Sequence, residues 1–499
     1  MEQALQARAR AAAVQPTAGQ PATKPPVAEP PAVFPLALPA LRKHVLERNL
    51  GLAVELFDPA IAEQEHRAEA ARFEALLGAT LGHASGPGPE GEQLTTSSVA
   101  PSLHLPLRLG TTLSLDLGYL RTEGAPGAQP GGEPPGSLHA PSWGLSVSQP
   151  LLRGGGTASS ASERQAGLRV RIAEARAKLA VVRALAGAER TYWEYYCAHE
   201  GLGLQLELHE LARQQETSAR RLVDEGVRTE VEIARARAGV ARRLEAILLA
   251  ETRRRLAELS LKGMIRLEEL PLGSPTAIRP DSQPRPRPLV LGREAVIRLA
   301  LTQRMELFES QVQEAIDAVA VDIRRNDALP ELTLDFDYSF SAARPRFTEA
   351  LEQLARAASP AWSGGLTFAL PLGGAAEGQL QAAMLARAKT AAGRQLLEQA
   401  VTEEVLGAID AVEQSWQRIA ANRLAVSLAE QAYGAEQVQF QQGFVTGNEV
   451  MLALSALAEA RFAELEATCD HQKSWVDLAY ATGTVAGEVG VSWVQAGVR

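Results

Sequence analysis

The chain has 499 residues, 22% of them charged and 5% aromatic, with a formal net charge of -9 at pH 7. That balance excludes a nucleic-acid-binding surface, which needs a basic face to neutralise phosphates. No run of eighteen uninterrupted apolar residues occurs, so no helix is expected to span a membrane, and a spanning structure would have to be built of strands.

Residues 1–38 read as a disordered lead rich in proline and alanine. The first twenty lack the apolar core of a secretory signal, so no signal peptide is recognisable. From Leu41 to Ala75 the pattern is helical, with a break expected at Asp58-Pro59 because proline disfavours helix in the residue before it. Alternation of period two follows. Leu113, Leu115, Leu117 and Tyr119 oppose Thr112, Ser114, Asp116 and Gly118, and beyond a Gly/Pro-rich loop Trp143, Leu145 and Val147 share one parity. Segments 102–109 and, weakly, 76–84 also alternate, as an extra hairpin or a strand-like excursion.

After Pro150 the period becomes seven. Leu168, Ile172, Ala175, Leu179, Val182, Ala186, Glu189, Trp193 and Tyr196 step by threes and fours, with Glu189 the one misfit, as in a coiled-coil seam. A helix over 157–222 would be roughly 100 Å long. It should end at Gly226, where glycine supplies the left-handed residue that stops a helix, with Thr229 and Glu232 in capping-box spacing to open the return. A proline-spaced linker (271–291) and a helical pair (293–325) come next.

The pattern then repeats. Leu332, Leu334, Phe336, Tyr338 and Phe340 oppose Thr333, Asp335, Asp337 and Ser339, and Trp362, Leu366, Phe368 and Leu370 share a parity across the next loop. Pro371 opens a second rod (375–441), with Val405, Ile409, Val412, Trp416 and Ile419 in its seam. It ends at Gly443, followed by Thr446 and Glu449. The spacing G-x-x-T-x-x-E-[IV]-x-x-A is the same at both turns, so the chain is a duplicated half-molecule. The first repeat spans 39–270, the second 292–485, and 486–499 is a tail. Tyr119, Trp143, Tyr338, Phe340 and Trp362 flank the two loops, as aromatic residues do where a barrel meets a membrane interface.

Chemistry is absent from the motifs. The eight histidines are scattered, and there is no H-E-x-x-H, P-loop or G-x-S-x-G, so neither an enzyme nor a metal or cofactor site is expected. The two cysteines, Cys197 and Cys469, read first as packed free thiols. Their similar distances from the turns also make a disulfide geometrically conceivable.

The order of elements resembles the outer-membrane efflux protein (TolC-like) family over about residues 41–485. The resemblance rests on the strand-to-helix junctions Gln149-Pro150-Leu151-Leu152 with Gly154-Gly155 and Leu370-Pro371-Leu372-Gly373-Gly374, the doubled glycine turns, and Arg304-x-Glu306-Leu307. It implies an α+β membrane protein in the outer membrane: a homotrimeric β-barrel of four strands per chain, continued through the periplasm as an α-helical coiled-coil tunnel. It implies a passive conduit for efflux or type I secretion, with a periplasmic adaptor and an inner-membrane pump or exporter as partners. On that reading Gly226, Thr229, Glu232, Gly443, Thr446 and Glu449 form the adaptor-contact turns, and Asp224, Glu225 and Glu230 an acidic periplasmic tip. Asp116, Asp335 and Asp337 face the barrel lumen, the five aromatic residues form the girdle against outer-membrane lipid, and Pro150 and Pro371 mark the strand–helix junctions. The alternative reading is a soluble or periplasmic coiled-coil scaffold without transport activity.

Overall fold

Two helices dominate the chain, and everything else is arranged along them. In this computed structural model, which describes residues 33–87, 93–124, 137–290, 292–357 and 360–485, they span Ala161–Asp224 (64 residues) and Ala375–Gln441 (67 residues). Each is therefore about 100 Å long.

In chain order, strand β1 (Val33–Leu36) leads into short helices α1 (Leu38–Arg48), α2 (Leu50–Glu55) and α3 (Asp58–Ala70). Strands β2 (Leu76–Pro87), β3 (Gln93–Pro106), β4 (Thr112–Glu123) and β5 (Ser137–Pro150) precede the long α4 and its return helix α5 (Glu230–Ile265). The linker carries β6 (Ala277–Pro280), and α6 (Arg293–Gln303) and α7 (Met305–Asp327) follow. Strand β7 (Glu331–Ser341), helix α8 (Phe347–Ala355), strand β8 (Pro360–Ala369), the long α9 and its return α10 (Gly447–Ala481) complete the second repeat.

The return helices are little more than half the length of the rods they pack on. The gap beside each rod is filled by the helices that precede the strands: α3 and α7 pack on α4, and α6 and α7 on α9. The seam predicted for α4 is buried at Ile172, Ala175, Leu179, Val182, Ala186 and Trp193. Glu189, the misfit, is buried too and pairs with Arg42 of α1 at 2.6 Å. In α9 the seam buries Val405, Ile409, Val412 and Ile419 but takes Ser415 in place of the half-buried Trp416.

Several expectations need correction. Residues 33–38 of the expected disordered lead are structured, because β1 pairs in parallel with β6 of the linker, Phe34 opposite Ile278. Leu36, Leu41 and Ile278 then close a core with Tyr192, Tyr195, Leu261 and Ile265. The rest of the expected lead and the tail 486–499 lie outside the described residues. The break expected at Asp58-Pro59 is there, between α2 ending at Glu55 and α3 opening at Asp58, and Pro59 sits in the first turn of the new helix, where its missing N–H has no partner to lose. A second break, not expected, falls at Asn49, whose Oδ1 accepts from Leu52 N at 3.0 Å to start α2. The loop after β7 contains the amphipathic helix α8, which period-two reading passes over.

The sheet has six strands, in the order β2-β3-β4-β5-β7-β8, every neighbour antiparallel. The resemblance implies four per chain. The two additional strands are the weakly alternating 76–84 and the segment around 102–109, joined as a full hairpin in which Leu77 pairs with Leu103.

Candidate functional site

Two regions gather the residues singled out by sequence: the sheet, and the far end of the long helices. Strand register decides which sheet residues share a face, because successive side chains point to opposite sides. Leu115 pairs with Leu145, Leu145 with Tyr338 and Tyr338 with Trp362; on the neighbouring rows Leu117 pairs with Trp143 and Trp143 with Phe340. These residues form one apolar face, much of it open: Leu117 is 47%, Trp362 72%, Leu366 63% and Phe368 61% exposed.

The opposite face is polar and small. Asp116 lies between Ser102 and Gly144, Asp337 between Ser146 and Ser363, and Asp335 between Ser148 and Gly365. Ser148 Oγ donates to Asp335 at 2.7 Å and Ser363 Oγ to Asp337 at 3.3 Å. The three aspartates therefore share a face.

Three of the five aromatic residues, Trp143, Tyr338 and Phe340, meet toward the loop end. Trp143 and Phe340 stack with centroids 4.7 Å apart, and Tyr338 lies edge-on to Phe340 at 5.1 Å. Tyr119 bonds His139 at 2.6 Å and meets Phe347 of α8 edge-to-face at 5.4 Å, so the overlooked helix supplies one more ring. At the other end Pro150 closes β5, and Asn326 fastens the junction loop by accepting from Gly154 N at 2.7 Å and donating to Leu152 O at 3.3 Å. Pro371 lies between the end of β8 and the start of α9.

At the helical end both glycines adopt left-handed backbone, φ +73° at Gly226 and +86° at Gly443. Val227 N donates to Leu222 O, and Phe444 N to Gln439 O, the six-to-one bond of a Schellman stop. Thr446 and Glu449 make the expected capping box, with Thr446 N donating to Glu449 at 2.5 Å. These hydrogen bonds from Thr446 hold the Glu449 carboxyl below its usual range.

The first turn differs. Thr229 has no side-chain capping bond, and Glu232 is not the partner of its own turn. Its carboxylate crosses to the other hairpin and accepts from the buried Gly447 N at 3.0 Å, while Arg235 holds it at 2.9 Å. Arg228 reaches the same way, donating to Val445 O at 2.5 Å over the Phe440 ring. The first repeat thus caps the second, and the two turns are locked side by side. Asp224, Glu225 and Glu230 remain exposed around them.

Compared with known proteins, residues 108–265 match the family model described as "Outer membrane efflux protein". Over this segment the chain is similar to the outer membrane efflux protein family. Solved channels of similar fold include the CmeC outer membrane channel of Campylobacter jejuni, with TM-score 0.67, 14% identity, and 90% of this chain and 85% of that one covered. VceC of Vibrio cholerae gives 0.66 and 17%, covering 89% and 96%, and the open-state MtrE channel of Neisseria gonorrhoeae gives 0.64 and 16%, covering 89% and 88%. A comparison with curated proteins gives no sequence match.

Arg304-x-Glu306-Leu307 has a packing role in the structure. Buried Arg304 pairs with Glu306 at 3.3 Å and Glu404 at 2.7 Å and donates to the carbonyls of Tyr480 and Ala481. It ties α7, α9 and the C-terminal end of α10 together, a structural clamp. Cys197 on α4 and Cys469 on α10 are free thiols. Sequence reading missed Val227 and Phe444, which follow the two glycines and stand 56% and 79% exposed. Their equivalent places after the repeated turn were the available clue, since a residue there ordinarily packs back on its helix.

Proposed function

We propose that this chain is the outer-membrane conduit of an export assembly, a passive channel in which no bond is made or broken. Three copies close their sheets into one barrel, with the apolar face toward lipid and Asp116, Asp335 and Asp337 toward the lumen. The rods continue the lumen as a periplasmic tunnel. An adaptor meets the turns at Gly226, Thr229, Gly443, Thr446 and Glu449, with exposed Val227 and Phe444 between the acidic groups, and a pump in the inner membrane supplies the energy. Glu232 acts there by bracing the two turns.

The observation that carries this reading is the sheet: six strands whose apolar side chains share one open face and whose polar and small side chains share the other. Lipid demands that every backbone group be paired, which an open sheet cannot achieve alone and a closed barrel does. A coiled-coil scaffold in water would leave Trp362, Leu366 and Phe368 exposed for no gain.

The test is fractionation followed by single-channel recording, with the chain expressed behind an export sequence. We expect detergent-extractable outer-membrane material that inserts into planar bilayers with discrete conductance steps. Protein that stays in aqueous fractions as rods and never conducts would overturn the proposal.

A further inference from the structure

We infer that the hairpin Leu76–Pro106 is part of the membrane wall, so that each copy contributes six strands and the next copy joins at β2. This rests on the reading of the sheet as a membrane wall. Closure by four strands per copy would require a neighbour's β8 to pair with a free edge of β4. That edge is occupied: β3 pairs with β4 from Thr95 opposite Glu123 to Pro106 opposite Thr112, nearly the whole strand. The free edges are β2, of 12 residues, and β8, of 10.

These two edges suit each other. With six strands alternating in direction, β2 and β8 run oppositely, so a copy rotated about the barrel axis brings its β8 antiparallel to β2, the same pairing as everywhere else in the sheet. Three copies then close eighteen strands. Barrel diameter grows about linearly with strand number, so this barrel is roughly half again as wide as one of twelve.

The hairpin also carries the wall's two-faced pattern. Leu77 and Leu103 continue the row of Leu115, Leu145, Tyr338 and Trp362, and Leu81 and Val99 continue the row of Tyr119. Leu77 and Leu81 are 77% and 75% exposed. On the other face a glycine stands against a serine in the hairpin as in the wall: a Cβ on Gly82 would lie 2.5 Å from Ser98 Oγ, and one on Gly118 2.4 Å from Ser142 Oγ. A hairpin lying in water would need neither an apolar row aligned with its neighbour's nor this close pairing of small residues on the other side.

The experiment places single cysteines in a Cys197→Ala/Cys469→Ala background of the full chain in outer membranes. Residues Leu77, Thr80, Leu81, Ser98, Val99 and Ser102 probe the hairpin, and Ser114 and Leu115 of β4 serve as controls. A water-soluble maleimide should label positions 80, 98 and 102 at least tenfold faster than 77, 81 and 99, as it should label 114 over 115. Paired cysteines, Thr80→Cys with Ser363→Cys, Gly365→Cys or Thr367→Cys, should give oxidative crosslinks between copies in at least one combination. Alternation in β4 without alternation in the hairpin, or crosslinking of β8 to Ser114→Cys instead of β2, would overturn the inference and leave the channel reading standing. Equal labelling of both faces in β4 as well would remove the channel reading and this inference together.

Discussion

At the scale of single residues, the two glycine turns look alike in sequence and differ in function of their parts. An added Cβ at Gly226 or Gly443 would meet nothing within 4 Å, so only the positive φ argues for glycine there. That strain is about 1–2 kcal/mol for an ordinary L residue and less for asparagine. Gly443→Asn should therefore keep the turn, while Gly443→Val opens it and abolishes export with oligomer and membrane insertion intact. Amide exchange across 441–450, beside native-gel mass, separates the two effects; an intact turn in Gly443→Val, or loss of the oligomer in that variant, would refute this. The glycines and Thr446–Glu449 were legible because capping is local, decided within six residues. The role of Glu232 was not, since its partner Gly447 lies 215 residues away, and spacing alone assigns a carboxylate to the nearest backbone it can reach.

At the scale of elements, the linker is less a spacer than a strap. His471 of α10 is fully buried, bonded to Ser415 Oγ at 2.9 Å and to Arg287 O at 3.0 Å, and the Arg287 guanidinium lies 4.5 Å from the centre of the Trp475 ring. Burial holds the imidazole below its usual range. A base with a depressed folded value binds its proton more tightly when unfolded, so the stability it confers is whole above about pH 6.5 and is lost as pH falls through the folded value. We expect the linker to loosen as pH falls below about 6.5, read as faster amide exchange at Arg287, with His471→Gln removing the pH dependence. Exchange that is flat across that range in the native chain would refute the assignment. Heptads and alternation made the rods and four strands readable in advance, because each has a repeating period. The strap has none: Arg287 and His471 are 184 positions apart, and proline spacing says only that such a segment is extended.

For the whole molecule, the single chain leaves open more than its sheet. Leu385, Leu396, Leu424 and Leu428 of α9 are 57% to 70% exposed, and Leu244, Leu248, Leu249 and Leu256 of α5 are 52% to 63% exposed. Burying one leucine fully is worth about 1.5–3 kcal/mol, so a Leu385→Ser/Leu396→Ser pair should weaken association by roughly tenfold or more per interface. Native mass spectrometry in detergent should then find monomers with unchanged helicity; undiminished trimers would show that this face meets water. The parallel pair of β1 and β6 has a consequence of another kind, in time. Val33 is fixed by Ala277, so more than two hundred residues must emerge before β1 has anywhere to settle. Closing a loop that long is entropically slow. We expect the first strand and its strap to be the last part of the helical body to lock, after both hairpins exist to receive them.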